Sequence, residues 1–377
     1  MDLRKSVGKQ NELALRVAKH VIATTPGAKT SNLVFSPASI NVVLSFLAAK
    51  SGGSTADHIL SLLQASSTNE LNTVSSKIIT DILADSTRSG GPTISTANGV
   101  WTEKTVPVEP SFRNLIENSY KAAFNLVDFR TKADEVVEEV NEWVKNQTRG
   151  LITDILGSVP PQTDVIFANA LFFHGRWDEE FDPSLTRDYG FHRLDGPKLR
   201  VPFMTAYDSY KHRLEVYQGF KVLELPYRGG GSNDNRYFSM LICLPDEKNG
   251  LHAMLERVAS CLGFLSGEGD IRGEDADVGV VKIPKFKFGF DLDVSEALQG
   301  LGLETPLEKI AHKACVEVDE VGTKAAAATA VRCCAGLTMP RRKKYDFVAD
   351  HPFLFLVKEY TSGLVLFLGQ VLDPSMH

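Results

Sequence analysis

Gly322-Thr323-Lys324-Ala325-Ala326-Ala327-Ala328-Thr329-Ala330, which follows His312-Lys313-Ala314-Cys315-Val316-Glu317-Val318-Asp319-Glu320-Val321, is the stretch on which the reading of this chain turns. From Gly322 to about Tyr345 there is no amphipathic pattern, and structureless loops beyond about 12–15 residues are uncommon and usually functional. The opening of this stretch is unusual in a second way. Thr323, Ala325, Ala327 and Thr329 alternate on one side, Ala326, Ala328 and Ala330 on the other; all are small, and no proline interrupts them. Such a segment is compatible with a central strand as well as with a loop, because its small side chains leave room for packing and no proline removes a ladder hydrogen bond. Gly322 adds backbone freedom where the segment begins. An alanine-rich helix is the competing reading, but about seven residues are too few to hold one alone. Lys324 falls on the second side and is the one charged residue of this segment.

Outward from this loop, the first hundred residues read mostly as helices. Leu13, Leu15, Val17, Ala18, Val21 and Ile22 recur at helical spacing, and Ser39 to Ala49 is apolar all round, as in a buried helix. Ala133, Val136, Val137, Val140, Trp143 and Val144 form one stripe opposite Glu135, Glu138, Glu139 and Glu142, with Gly150 closing the helix. Strands follow. Ile94 to Trp101 alternates weakly, and Val165 to Phe173 is apolar on both faces, which predicts a central buried strand. Val222–Tyr227 and Tyr237–Leu244 read as a hairpin around a Gly-rich tip, Val280–Phe290 as a strand interrupted by Pro284, and Phe353–Lys358 with Leu364–Val371 as a second hairpin. Helices first and strands later, without regular βαβ alternation, predict an α+β fold.

Composition excludes several function classes. The 377 residues carry a formal net charge of -6 with 43% hydrophobic residues, so the surface is ordinary and exerts no general pull on nucleic acid or anionic membrane. No apolar run approaches the length of a membrane span. Met1-Asp2-Leu3-Arg4-Lys5-Ser6-Val7 is followed by no apolar signal region, which makes cytosol, with the nucleus as a second compartment, the expected location. Five cysteines, an odd number without a CxxC pair, argue against a disulfide framework. Neighbouring Cys333-Cys334 read as incidental small side chains, with a redox-sensitive loop as the alternative. Arg341-Arg342-Lys343-Lys344 reads as a solvated loop or as an import or anion-binding patch. Asn146-Gln147-Thr148, a glycosylation sequon only in the secretory pathway, reads as a helix end. There is no G-x-S-x-G elbow, HExxH or zinc spacing, and Ser51-Gly52-Gly53-Ser54-Thr55 lacks the spacing of a phosphate loop. No enzyme site, metal or cofactor is expected.

Four separated stretches carry a family resemblance, in the right order. They are Asn32-Leu33-Val34-Phe35-Ser36-Pro37-Ala38-Ser39-Ile40, Phe167-Ala168-Asn169-Ala170-Leu171-Phe172-Phe173-His174-Gly175-Arg176-Trp177, the segment from His312 to Ala330, and Asp346-Phe347-Val348-Ala349-Asp350-His351-Pro352-Phe353-Leu354-Phe355. The chain resembles the serpins over nearly its whole length, and its ADHPF wording resembles the plant members. The resemblance implies a single domain over residues 1–377. Its helices, mainly in the N-terminal half, pack on three β-sheets, with an exposed reactive-centre loop at about 322–345.

It also implies a function: suicide-substrate inhibition of serine-type endopeptidases, extending to cysteine proteases. The target forms an acyl-enzyme at the bait bond, and the cut loop then inserts into sheet A and distorts the protease. The partner is an endopeptidase held covalently by a monomeric inhibitor that is not itself an enzyme, and the apoplast stays open as a location. Counting along the family pattern puts the bait bond at Gly336-Leu337, after Ala335, where plant relatives often carry Arg in place of Gly336. Bonds after Arg332, Arg341 or Arg342 are alternatives. The hinge maps to Glu320, Gly322, Thr323, Ala325, Ala326, Ala327 and Ala328. The shutter, a polar cluster beneath the point where sheet A opens, maps to Ser36, Ser39, Asn169 and His312, and the breach above it to Trp177, Lys285 and Glu320. A non-inhibitory serpin that binds or stores is the second reading, which the small-residue hinge disfavours.

Overall fold

The computed structural model describes residues 2–24, 28–85, 87, 90–209, 211–231, 234–266, 269–303, 308–322 and 343–376. The N-terminal part contains α1 (Leu3–Thr24), β1 (Leu33–Phe35), α2 (Pro37–Lys50), α3 (Gly53–Leu62), α4 (Thr68–Lys77), β2 (Thr93–Glu103), α5 (Pro110–Asn114), β3 (Ala123–Val127) and α6 (Phe129–Gln147). After these come β4 (Val165–His174), β5 (Arg187–Phe191), β6 (Leu199–Tyr207), β7 (Arg213–Tyr217), β8 (Phe220–Pro226), β9 (Phe238–Pro245) and α7 (Leu251–Ser260). The last part holds β10 (Glu274–Pro284), β11 (Phe286–Asp293), α8 (Val294–Gln299), β12 (Glu308–Val318), β13 (Lys344–Val348), β14 (Phe353–Glu359) and β15 (Val365–Val371). The arrangement is α+β.

The helices follow their side chains. In α2 every residue from Pro37 to Ala48 is buried, Ser39, Asn41 and Ser45 included, because apolar side chains surround the helix on all sides; Ser36 caps it and Pro37 occupies the first turn, where a missing N–H costs nothing. Only Ser51 and Gly52 separate α2 from α3, which begins at Gly53, so this stretch is an interhelix turn. In α6 the predicted stripe is inward, with Phe129, Val136, Val140 and Val144 buried, and the Gly150 N–H closes on the Lys145 carbonyl at 2.7 Å.

Five strands form one sheet in the order β11-β12-β4-β2-β3. The other ten form a continuous system in which β10 is shared. Its first residues pair with β7, and Val280 to Pro284 pair with β6, so one strand turns from one sheet into the next. Both predicted hairpins are present, as β8–β9 and β14–β15. The run predicted as one strand over Val280–Phe290 is two. Pro284 ends β10, and Phe286 begins β11 in the five-stranded sheet. Proline has no N–H for a ladder, which makes it a natural place to leave one sheet for another.

β4 is the buried centre of the five-stranded sheet, between β2 and β12. On one face α6 and residues Ile152 to Val159 pack on Ala97, Trp101, Ile166, Ala168, Ala170 and Ala311. These alanines let the helix lie close on the sheet. The opposite face joins the main core around α2, with Phe46, Phe167 and Ile310.

Candidate functional site: a closed parallel pair and the turn above it

β12 and β4 lie side by side in the centre of this sheet and run parallel. They pair from Glu308 opposite Val165 to Ala314 opposite Leu171. Above that level they part: Cys315 to Val318 continue to pair with β11, and Phe172 to His174 with β2, but not with each other. The sheet is therefore closed below and split at its upper end.

The polar residues predicted beneath the split come together. His312 and Asn169 are register partners across the parallel pair, and Asn169 and Asn98 are partners across the next. The Ser36 N–H donates to His312 Nε2 at 2.9 Å, so this nitrogen carries no proton. Nδ1 then donates to Asn169 Oδ1 at 2.8 Å, and Asn169 Nδ2 donates to Asn98 Oδ1 at 2.6 Å. Ser36 Oγ accepts the Ser39 N–H at 3.2 Å and starts α2. The result is one chain of hydrogen bonds across three strands and a helix cap. Asn98 was missed in the sequence, since a polar residue in a weakly alternating strand says nothing of its cross-strand partner.

Burial pushes the His312 imidazole down to about 3, against some upward pull from its bond to Asn169. A histidine held neutral in the fold but free to charge when unfolded stabilises fully above its ordinary value of 6.5 and loses that contribution as pH falls toward 3. The expected loss is about 2 kcal/mol by pH 5. His212 is pushed down to about 4 by burial, partly opposed by Glu179, and adds to the slope in the same direction. Urea midpoints at pH 7 and pH 5 check this: His312→Gln should lower the midpoint at pH 7 and flatten the pH dependence.

At the split end, Trp177 is buried and its indole stacks on Tyr227, with ring centroids 4.6 Å apart at 15°. Its Nε1–H donates to the Asp319 carbonyl at 2.9 Å and its main-chain N–H to the Val321 carbonyl at 2.9 Å. The Phe181 N–H donates to the Glu320 carbonyl at 2.8 Å. The predicted ion pair is formed: Lys285 Nζ lies 2.7 Å from Glu320 Oε2, and Thr186 Oγ1 donates to Oε1 at 2.8 Å. Burial raises the Glu320 carboxyl, but hydrogen bonds from Lys285, its own backbone and Thr186 outweigh this and hold it below its ordinary value.

Gly322 is the last residue described before the loop, and it forms a β-bridge with Arg176. Its φ is +146°, and a Cβ there would sit 2.1 Å from the Gly175 carbonyl oxygen and 2.7 Å from Arg176 Cα. Glycine is required because main chain meets main chain. The next described strand is β13, where Lys344 lies opposite Asp277. Thr323, Ala325, Ala326, Ala327 and Ala328 of the expected hinge lie outside the described residues. So do Gly336-Leu337, Cys333-Cys334, Arg332, Arg341 and Arg342.

A profile described as "Serpin (serine protease inhibitor)" matches residues 8–374. The chain belongs to the serpin family. Serpin-ZX of Arabidopsis thaliana is 49% identical, over 99% of this chain and 100% of that protein. A second Arabidopsis relative, named "Probable non-inhibitory serpin-Z5", is 44% identical over 100% of this chain and 86% of its own length. The solved structure "Arabidopsis AtSerpin1. Native Stressed Conformation" matches with a TM-score of 0.87 and 46% identity, covering 100% of both chains. The family's description is that of protease inhibitors. Among its described residues no helix is long and apolar enough to cross a membrane.

Proposed function

We propose that this serpin inhibits serine-type endopeptidases by inserting its cut loop as a new strand between β12 and β4. The observation that carries the reading is the closed parallel pair with the loop departing from its split end. A strand that descends from Gly322 runs antiparallel to both neighbours. One parallel ladder is replaced by two antiparallel ones, which pair slightly better per residue. β12 has 11 residues, and the arm from Thr323 to Gly336 is long enough to run its whole length, about 37 Å at ~3.4 Å per residue.

The target's serine Oγ attacks the Gly336 carbonyl carbon, the Leu337 amine leaves, and an ester joins the two proteins. Insertion carries the esterified end toward the far end of the sheet before water completes hydrolysis. A cut after Arg332 shortens the arm and a cut after Arg341 lengthens it, and both favour release over trapping. Gly336 offers no side chain to a specificity pocket, which favours proteases with small primary pockets or selection on neighbouring residues. Papain-like enzymes, which would form a thioester at the same carbon, are a second target class. The inhibitor acts as a monomer in the cytosol.

The test is incubation with a panel of serine and cysteine endopeptidases, read on denaturing gels. The expected result is an SDS-resistant band at the summed mass with at least one protease. Cleavage by every protease without such a band overturns inhibition in favour of a binding or storage role, which the name of the 44% identical relative keeps in view.

A further inference from the structure

The end of β2 carries a hydroxyl that the fold does not use. Val100 lies in the main core with Phe46 and Phe167, while Trp101 turns to the other face of the sheet, where it meets Trp143. Thr102 returns to the core face, because side chains alternate along a strand. It is only 2% exposed, and among the described residues its hydroxyl makes no hydrogen bond. Burying a hydroxyl without a partner is unfavourable.

Thr102 lines a cavity of about 450 Å³ between the end of α2, residues 106–109 and α5. The walls are apolar: Ala49, Val106, Pro107, Val108, Phe112 and Leu115. Val106, Val108, Phe112 and Leu115 are each half-buried, and they line this one space together. Buried Glu103 holds the wall in shape. Its Oε1 accepts the Thr105 N–H at 3.2 Å and hydroxyl at 3.1 Å, its Oε2 accepts the Phe129 N–H at 2.7 Å, and its carbonyl accepts the Val106 N–H at 2.9 Å. On the other side Phe112 stands edge-on to Phe124, with ring centroids 6.4 Å apart. The cavity is therefore formed before any ligand arrives, as small-molecule sites generally are.

From this geometry we infer that the cavity binds a neutral, largely apolar small molecule, a ring system with one hydroxyl or carbonyl that pairs with the Thr102 hydroxyl. A single neutral hydroxyl satisfies one such group but not an ion taken out of water. Lys50 and Glu109, both exposed, stand in the lining with one charge of each sign, so neither anions nor cations are favoured there. The volume falls within the ~300–1,000 Å³ of sites that take such ligands. Leu126, the cross-strand partner of Thr102, is 54% exposed and continues the apolar surface on the same face. The inference is independent of how the loop acts on a protease.

The test uses the intact chain and three probes of one shape: 2-naphthol, naphthalene and 2-naphthoate. Methyl NMR locates the binding: 2-naphthol should shift Val106, Val108 and Leu115 and leave Leu354 and Val365 unmoved. Thr102→Val keeps the shape and removes the hydroxyl. It should weaken 2-naphthol about fivefold, the worth of one hydrogen bond, while naphthalene stays within about twofold. The anion 2-naphthoate should bind weakest of the three. Ala49→Leu fills the cavity from α2 and should abolish binding of all three; Val108→Trp fills it from the facing wall and takes its place if Ala49→Leu does not fold. Without ligand, Thr102→Val should melt no lower than the unchanged protein, since no protein hydrogen bond is lost. A lower melting temperature would mean that the hydroxyl serves the fold, and its role in recognition would fall. Shifts elsewhere, or binding that survives a folded filling variant, overturn the site. If 2-naphthoate binds as tightly as 2-naphthol, or Thr102→Val leaves 2-naphthol unaffected, the neutral ligand read by a hydroxyl is overturned. No binding by any probe leaves the cavity to solvent and overturns the whole inference.

Discussion

Trp177→Ala is expected to lower unfolding stability by about 3–5 kcal/mol, the range for losing a buried aromatic side chain. Two losses combine. The indole leaves a cavity beside Tyr227, on which it stacks, and the Asp319 carbonyl loses its side-chain donor. Trp177→Phe separates them. Phenylalanine keeps much of the stacking but not the N–H, so it should cost less, with about 1 kcal/mol assigned to the lost bond. Urea unfolding followed by far-UV dichroism measures both. Equal losses for the two variants would mean that the hydrogen bond to Asp319, rather than the packing, holds this end of the sheet.

Gly322→Ala is the second large effect, and it is local. At φ +146° an L side chain is strained, and its Cβ would stand 2.1 Å from a main-chain oxygen that cannot rotate aside. Strained backbone alone costs about 1–3 kcal/mol. The contact is relieved only by parting the Arg176–Gly322 bridge. The expected consequence is faster hydrogen exchange at the Trp177 and Phe181 amides, whose acceptors are the carbonyls of Val321 and Glu320. Amides of β14 and β15 should be unchanged. Unaltered exchange at Trp177 would show that the bridge tolerates a side chain and that Gly322 is not the fixed point of the loop.

The sequence was informative where the physics is local. The apolar side chains all round α2, the stripe of α6 and the two-faced apolar run of β4 each dictate their own environment, and all three are found as read. Ser36, Ser39, Asn169 and His312 were carried from the resemblance, and they meet in space. What could not be read depends on register between distant strands. Asn98 joins the polar chain only because it pairs with Asn169, 71 positions away. Gly175 looked like one letter of a motif, yet it is where the main chain of Gly322 comes to rest. Nothing in the sequence marks Asp319, whose carboxylate accepts the Val321 and Gly322 N–H groups that only a folded turn presents. Pro284 was taken as an interruption when it is the boundary between two sheets.

The central claim is that the loop after Gly322 enters the sheet between β12 and β4. Its most direct measurement is the melting temperature of the intact serpin against the same protein cut once within residues 323–342. Insertion predicts a rise of about 10 °C or more, the mark of several kcal/mol of new strand pairing in a chain of this size. An unchanged or lower melting temperature after a single verified cut would contradict it.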